Sequence, residues 1–375
     1  MKMLSILMTL MLLGGCAASE ETTGAGGSAD TGGNNTGGGD TGGGTGSYGD
    51  TLSQRYPRDE GMAEDPAVLF FDDFEAGWGR WDWPRRDTDY LTLENDATQA
   101  HAGSHYLRSS VSEADLEADS DTYISSSTGK TFDEQSNVMY VRFYARRVGV
   151  SPKPGHWVRF AAKSDSWDSS GLANTVPPGD GGFWFDLDIT RDDAGNEDFM
   201  FYAYWHQMRS GRCNDGSTTP GCTGDQGTTY YYGNVFRPAD QAPIERDRWV
   251  CIEVMAKANT VGDSDGELAL WVDDDPVEHY RKGSPMGSWL RAKFYAPGTC
   301  SWPSCPDPSP FEGFNFRSSE QVRFGQFFLD AYNELASFRR DLERLRNLGM
   351  NPSTTQTILY DDVVVAKERI GCRVE

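Results

Sequence analysis

Val138-Met139-Tyr140-Val141-Arg142-Phe143-Tyr144-Ala145-Arg146-Arg147 changes character at almost every step. Met139, Val141, Phe143 and Ala145 make one apolar row. Tyr140, Arg142, Tyr144 and Arg146 make the opposite one. A period of two belongs to a β-strand with one face in a core, whereas the apolar stripe of a helix recurs every three or four residues.

The same pattern extends to both sides. In 157–163, Val158, Phe160 and Ala162 stand against Arg159 and Lys163. In 183–189, Phe183, Phe185, Leu187 and Ile189 stand against Trp184, Asp186 and Asp188. In 199–207, Phe199, Phe201, Ala203 and Trp205 stand against Tyr202, Tyr204 and His206. Further strands are expected at 249–256, 267–273, 322–332 and 357–366, separated by acidic or glycine-rich turns such as Asp193-Ala194-Gly195-Asn196 and Asp273-Asp274-Asp275-Pro276. One helix is predicted at 335–348, where Leu335, Phe338, Leu342, Leu345 and Leu348 keep helical spacing before Gly349 and Pro352. Many short strands and one late helix predict an all-β sandwich of two antiparallel sheets.

The chain begins Met1-Lys2-Met3, runs apolar to Leu13 and continues Leu13-Gly14-Gly15-Cys16. A basic start, a short apolar run and small residues before a cleavage point predict an export signal, and the run is too short to span a bilayer. Cys16 directly after Leu-Gly-Gly resembles the lipobox of bacterial lipoproteins, which implies cleavage before Cys16 and its acylation. The expected organisation is a signal peptide over 1–15, a Gly-rich tether over 16–64 and one domain over 65–375. The tether has almost no apolar residue, and about 35 such residues reach on the order of 30 Å. The expected address is a bacterial outer membrane, on its periplasmic or surface side, with the lipid as the only membrane contact.

The net charge of −23 argues against nucleic acid as a partner. Of the seven Cys, Cys16 is assigned to the lipid, and six in an exported chain suggest three disulfides. Cys213 with Cys222 and Cys300 with Cys305 each flank a short loop, which leaves Cys251 with Cys372 as a pair that would pin the last strand to the sheet. Six Cys allow fifteen connectivities, so these pairings rest on proximity in sequence.

At Asp247-Arg248-Trp249-Val250-Cys251-Ile252-Glu253-Val254, through Asn259-Thr260-Val261-Gly262, to Gly266-Glu267-Leu268-Ala269-Leu270-Trp271-Val272-Asp273, the chain resembles the paired strands of concanavalin A-like jelly rolls related to polysaccharide lyases. Leu69-Phe70-Phe71-Asp72-Asp73-Phe74-Glu75 resembles the opening strand of such domains, and Ile358-Leu359-Tyr360-Asp361-Asp362-Val363-Val364-Val365 the closing one. The resemblance covers nearly all of 69–374. It implies the fold more than the chemistry, because such sandwiches also serve as lectins, glycosidases and binding modules. Laminarinase-type hydrolases of this fold carry Glu-x-Asp-x-x-Glu, and Asp186-Leu187-Asp188-Ile189-Thr190 has no Glu, so their carboxylate pair is not visible.

Cleavage of a uronate polymer by β-elimination needs a group to neutralise the carboxylate, a base and an acid. If their strands are neighbours, Arg142, Tyr144, Arg159, Lys163, Tyr202, Tyr204 and His206 line one concave face. In a lyase Tyr204 or His206 would be the base, and Arg159 or Lys163 would neutralise charge. Trp184, Tyr202 and Tyr231 would contact sugar, with 230–234 over the rim. The competing reading is an exposed sheet face, for which Tyr and Arg are suited through cross-strand pairing alone. The resemblance also implies a structural calcium, held by Asp73, Glu75 and Asp361 with a carbonyl of the 102–104 loop. The alternative is strand-end carboxylates in solvent. The expected function is a polysaccharide-binding lipoprotein. The alternatives are a lyase acting on a uronate polymer and a structural or adhesive lipoprotein without a sugar site.

Overall fold

The computed structural model of the chain describes residues 50–84, 88–164, 173–211, 230–239, 242–300 and 306–375, with backbone alone at 83, 84 and 88. Its strands are β1 (Val68–Asp72), β2 (Trp83–Pro84), β3 (Leu91–Asn95), β4 (His105–Ser112), β5 (Tyr123–Ser136), β6 (Val138–Arg147), β7 (His156–Lys163), β8 (Gly182–Arg191), β9 (Glu197–Tyr204), β10 (Asn234–Phe236), β11 (Val250–Lys257), β12 (Glu267–Val272), β13 (Asp275–Tyr280), β14 (Met286–Leu290), β15 (Lys293–Tyr295), β16 (Ser309–Pro310), β17 (Arg323–Glu334) and β18 (Thr355–Ala366). The helices are α1 (Leu52–Arg55), α2 (Glu113–Ala118) and α3 (Leu335–Asn347).

The strands form two sheets, antiparallel except for the β10–β15 pair. The first runs β13-β12-β11-β6-β18-β4-β3, with β1 paired to the far half of β18. The second runs β16-β14-β15-β10-β9-β8-β7-β17-β5-β2. This is the two-sheet sandwich that the alternation predicts, in the jelly-roll form that the resemblance implies, with the first and last strands side by side. The inward rows meet in one core. Phe143 of the first sheet lies 5.6 Å from Trp157 and 6.5 Å from Phe327 of the second. Phe160 and Phe185 stack at 4.7 Å across their register pair. The Trp157 indole N–H donates to the Tyr360 hydroxyl at 2.7 Å, one polar bond joining the two layers inside an apolar core.

Helix α3 ends one residue short of the predicted limit. Its Phe338 and Leu342 cover Val111 of β4 and Ile124 of β5, one strand from each sheet. Arg339 on the outer side pairs with Glu113 and Glu117 of α2. The insertion therefore closes an end of the sandwich.

Two expectations change. The packed domain begins at Thr51 and not at Asp65. Thr51 caps α1 with a capping box, Leu52 and Ser53 donate to the Arg369 and Ile370 carbonyls, and Leu52 and Met62 are fully buried against Val364, Ala366 and Ile370. Polar composition concealed this because a few apolar anchors suffice to dock a short segment. The second change concerns β6. Tyr140 and Arg142 of its outward row are covered by the same segment, and the Arg142 guanidinium is buried on Asp59. Cys251 and Cys372 are joined as expected. Cys300 is disulfide-bonded. Cys213, Cys222 and Cys305 lie outside the described residues, as does Cys16.

Candidate functional site

The outer face of the second sheet brings together Arg159, Trp184, Tyr202 and Tyr204. Its central strands run β9-β8-β7-β17-β5. In register, Tyr202 stands opposite Asp186, which stands opposite Arg159, while Tyr204 stands opposite Trp184. Period two on β17 adds Asp330 and Tyr332 to the same face. Pairing of β7 with β17 slips by one residue between Leu329 and Tyr332, so that His156 comes opposite Tyr332. Trp157 enters the core at this slip, and its amide donates to Asp188 Oδ1 at 2.9 Å in place of a ladder bond.

The rings on this face form a continuous track. Tyr123 to Tyr332 is 5.7 Å between centroids, Tyr332 to His156 5.8 Å and His156 to Tyr202 4.9 Å. Tyr202 to Tyr204 is 5.7 Å, and Tyr204 stacks on Trp184 at 4.5 Å. Tyr123, Tyr332, His156 and Tyr202 are half-buried, whereas Tyr204 and Trp184 are buried. The Tyr202 hydroxyl accepts the Gly233 N–H at 2.9 Å. A Cβ at Gly233 would come within 2.5 Å of the Tyr202 ring, so this close approach requires glycine.

Acidic groups lie under the track. Arg159 holds Asp186 through Nε at 2.7 Å and Nη2 at 2.9 Å. Its guanidinium also lies 5.7 Å from the Trp184 ring centre. His156 Nδ1 is 3.0 Å from Asp188 Oδ2 and 3.5 Å from Asp186 Oδ2. Asp330 accepts the Ser125 hydroxyl at 2.7 Å. Asp186 and Asp188 are about 1% exposed, while His156 and Arg159 keep about 30% of their side chains in solvent. Burial works against a charged His156, but Asp188 and Asp186 outweigh it and hold the imidazole pKa above its ordinary value. Burial raises Tyr202 and Tyr204 above the ordinary phenol range, so both hydroxyls keep their protons at neutral pH. The Asp330 carboxyl is raised by burial as well, against the pull of Arg159.

Arg142 and Tyr144 are not part of this face. They belong to β6 in the other sheet, where Tyr144 stacks on His101 at 3.5 Å and accepts the Arg373 amide at 2.8 Å. A strand's alternation shows which residues share its face, but not which sheet the strand joins. Lys163 lies at the far end of β7, opposite Gly182 and Arg323. His206 falls beyond the end of β9, with Nδ1 3.1 Å from the Phe316 carbonyl oxygen, and burial lowers its pKa. Tyr231 is buried, its amide donating to Asn174 at 3.0 Å.

Sequence reasoning missed Tyr123, His156, Asp330 and Tyr332 as members of the face. Alternation in β17, read against Leu329 and Ala331, would have found the last two. His156 follows Pro-Lys-Pro-Gly and resembled a loop residue, because the slip that turns it outward depends on a strand more than 160 residues away.

The expected calcium ligands do not converge. Among the described residues, the one group of three His, Cys, Asp or Glu whose ligating atoms lie within 4.8 Å of one another is His156, Asp186 and Asp188. Glu75 instead accepts the amides of Ser104 at 2.6 Å and His105 at 2.7 Å, and Asp361 accepts that of His101 at 2.8 Å. Asp73 accepts the Glu75 amide at 3.3 Å. The 101–105 loop thus offers N–H groups to Glu75 and Asp361, where a cation would require its carbonyl oxygens. In the His156 group, Arg159, the Trp157 amide and His156 itself already engage the carboxylates, which makes it an ion-pair network in its present form.

No family model matches the chain, and no curated protein does. Among solved structures it is similar to an endo-β-1,4-glucuronan lyase from the fungus Trichoderma reesei, with a TM-score of 0.43 and 12% identity over 80% of this chain and 95% of that one. An alginate lyase from a Chlorella virus gives 0.43 and 12% over 80% and 99%. A PL-14 alginate lyase from Aplysia kurodai gives 0.41 and 12% over 76% and 88%. At these identities and TM-scores no residue role or activity transfers to this chain.

Proposed function

We propose that this protein binds polysaccharide along the ring track on the outer face of its ten-stranded sheet. The observation that carries the reading is the unbroken row of half-buried rings from Tyr123 to Tyr202, in which no centroid step exceeds 5.8 Å. Sugar rings present C–H faces that pack on aromatic rings, while their hydroxyls bond to the polar groups between them. The row crosses five strands, roughly 19 Å at the usual strand spacing, which suits an extended chain better than a monosaccharide. Affinity electrophoresis through gels containing different polysaccharides tests this. Retardation by at least one of them, lost in Tyr202→Ala with Tyr332→Ala, is the expected result, and uniform mobility in every gel would refute it.

A second reading has a specific observation in its favour. His156, oriented by Asp188 and beside Tyr202, resembles an acid–base pair for β-elimination. Against it, Arg159 is already committed to Asp186, and Tyr202 is held protonated. Release of unsaturated uronate product, followed by ultraviolet absorbance and abolished in His156→Ala, would establish the lyase.

The anchor belongs to the same proposal. Leu13-Gly14-Gly15-Cys16 and the Gly-rich segment after it support a lipid on Cys16 that displays the domain from a membrane. Incorporation of labelled palmitate, absent in Cys16→Ser, is the test.

A further inference from the structure

We infer that the track selects an uncharged polysaccharide and rejects polyuronates, with Asp186 as the residue that enforces the choice. The inference rests on the track being the sugar site.

Recognising a uronate requires a cation, or several N–H donors, turned toward the incoming carboxylate. Arg159 is the guanidinium beside the rings of the track, and two of its nitrogens are bound to Asp186. Asp330 acts on Arg159 from the next strand. Below the rings, Asp186, Asp188 and Asp330 bring three carboxyl groups against Arg159 and His156. A carboxylate entering there would have to displace Asp186 from Arg159 and would meet Asp188 and Asp330 beside it.

Two lysines stand toward the ends of this face. Lys163 is four residues along β7 from Arg159, roughly 13 Å at strand rise. Lys153 stands beyond His156, within electrostatic reach of Asp341 and Asp188. A neutral sugar needs no such cation, and the half-buried Tyr123, Tyr332, His156 and Tyr202 still present ring faces to it.

The experiment uses the full-length protein with laminarin, galactomannan and hydroxyethylcellulose as uncharged probes, and alginate, polygalacturonate and glucuronan as polyuronates. The expected result is binding to at least one uncharged polymer, at least tenfold tighter than to any polyuronate and insensitive to salt. Preference for a polyuronate, weakening as salt rises, overturns the selectivity and leaves the track as the sugar site. Binding to none of the six overturns both. Asp186→Asn frees Arg159 and is expected to raise affinity for polyuronate about tenfold. If that variant is folded and its polyuronate affinity is unchanged, Asp186 is not the selecting residue. If it does not fold, the wild-type preference and its salt dependence still decide the selectivity.

Discussion

Asp59 and Arg142 form a two-point ion pair closed to solvent. Nη2 to Oδ2 is 2.6 Å and Nη1 to Oδ1 is 3.1 Å, and the side chains are 3% and 0% exposed. The partners are 83 residues apart and belong to different layers of structure. Removing one partner of a buried pair leaves an uncompensated charge, which costs about 3–5 kcal/mol. Asp59→Ala is therefore expected to lower stability by that amount in urea unfolding. An unchanged midpoint would mean that Asp59 does not hold Arg142 in solution.

The disulfide between Cys251 and Cys372 spans 121 residues and ties the C-terminal tail to β11. Ile370 and Gly371 also donate their amides to Glu253, next to Cys251 on the strand but one. Closing so long a loop restricts the unfolded chain, an effect of about 4–5 kcal/mol in the chain-entropy view. Cys372→Ser should destabilise by up to that amount, read from urea midpoints. A difference from wild type that persists under reducing conditions would assign the loss to the substitution rather than to the crosslink.

Asp361 gives the fold a pH dependence. Burial first, and then the charge of Asp362, push its carboxyl from 3.8 up to about 8. The folded state thus holds this proton more tightly than the unfolded chain does. The resulting stability is complete below pH 3.8 and is lost as pH rises toward 8. Asp361→Asn, which can still accept the His101 amide, is expected to flatten this part of the melting-temperature profile and to raise the melting temperature at pH 8. Wild-type and variant profiles that run parallel from pH 4 to 8 would contradict it.

The track predicts where sugar affinity resides. Tyr332→Ala and Tyr202→Ala should each weaken polysaccharide binding by roughly fivefold, about 1 kcal/mol, without unfolding the domain. Tyr140→Ala, on the opposite sheet, should leave binding unchanged. Isothermal titration on the three variants separates these outcomes, and equal losses in all three would remove the second sheet as the site.

The sandwich was legible because its evidence is local. The alternating row in β6, the Phe183, Phe185, Leu187 and Ile189 row in β8 and the leucine spacing of α3 each report a face within a dozen residues. Asp186, Tyr202 and Tyr204 were found on one side of their strands for the same reason. Asp73, Glu75 and Asp361 were grouped from the adjacency of the first and last strands. That adjacency is real, but it does not specify whether the nearby loop turns carbonyls or amides toward them.

Periodicity, a property of neighbouring residues, determined by itself that this chain builds strands with one face in a core and one late helix. Tertiary structure alone decided that Arg142 lies under a roof while Arg159 lies on the track, although both come from alternating strands rich in Tyr, Arg and Phe. Sheet membership depends on pairing with strands far along the chain: β18 beside β6, and β17 beside β7. The one-residue slip against β17 turns His156 to the surface, and the docking of 51–64 supplies Asp59. Both are long-range contacts whose free energy is distributed over partners that no local window contains.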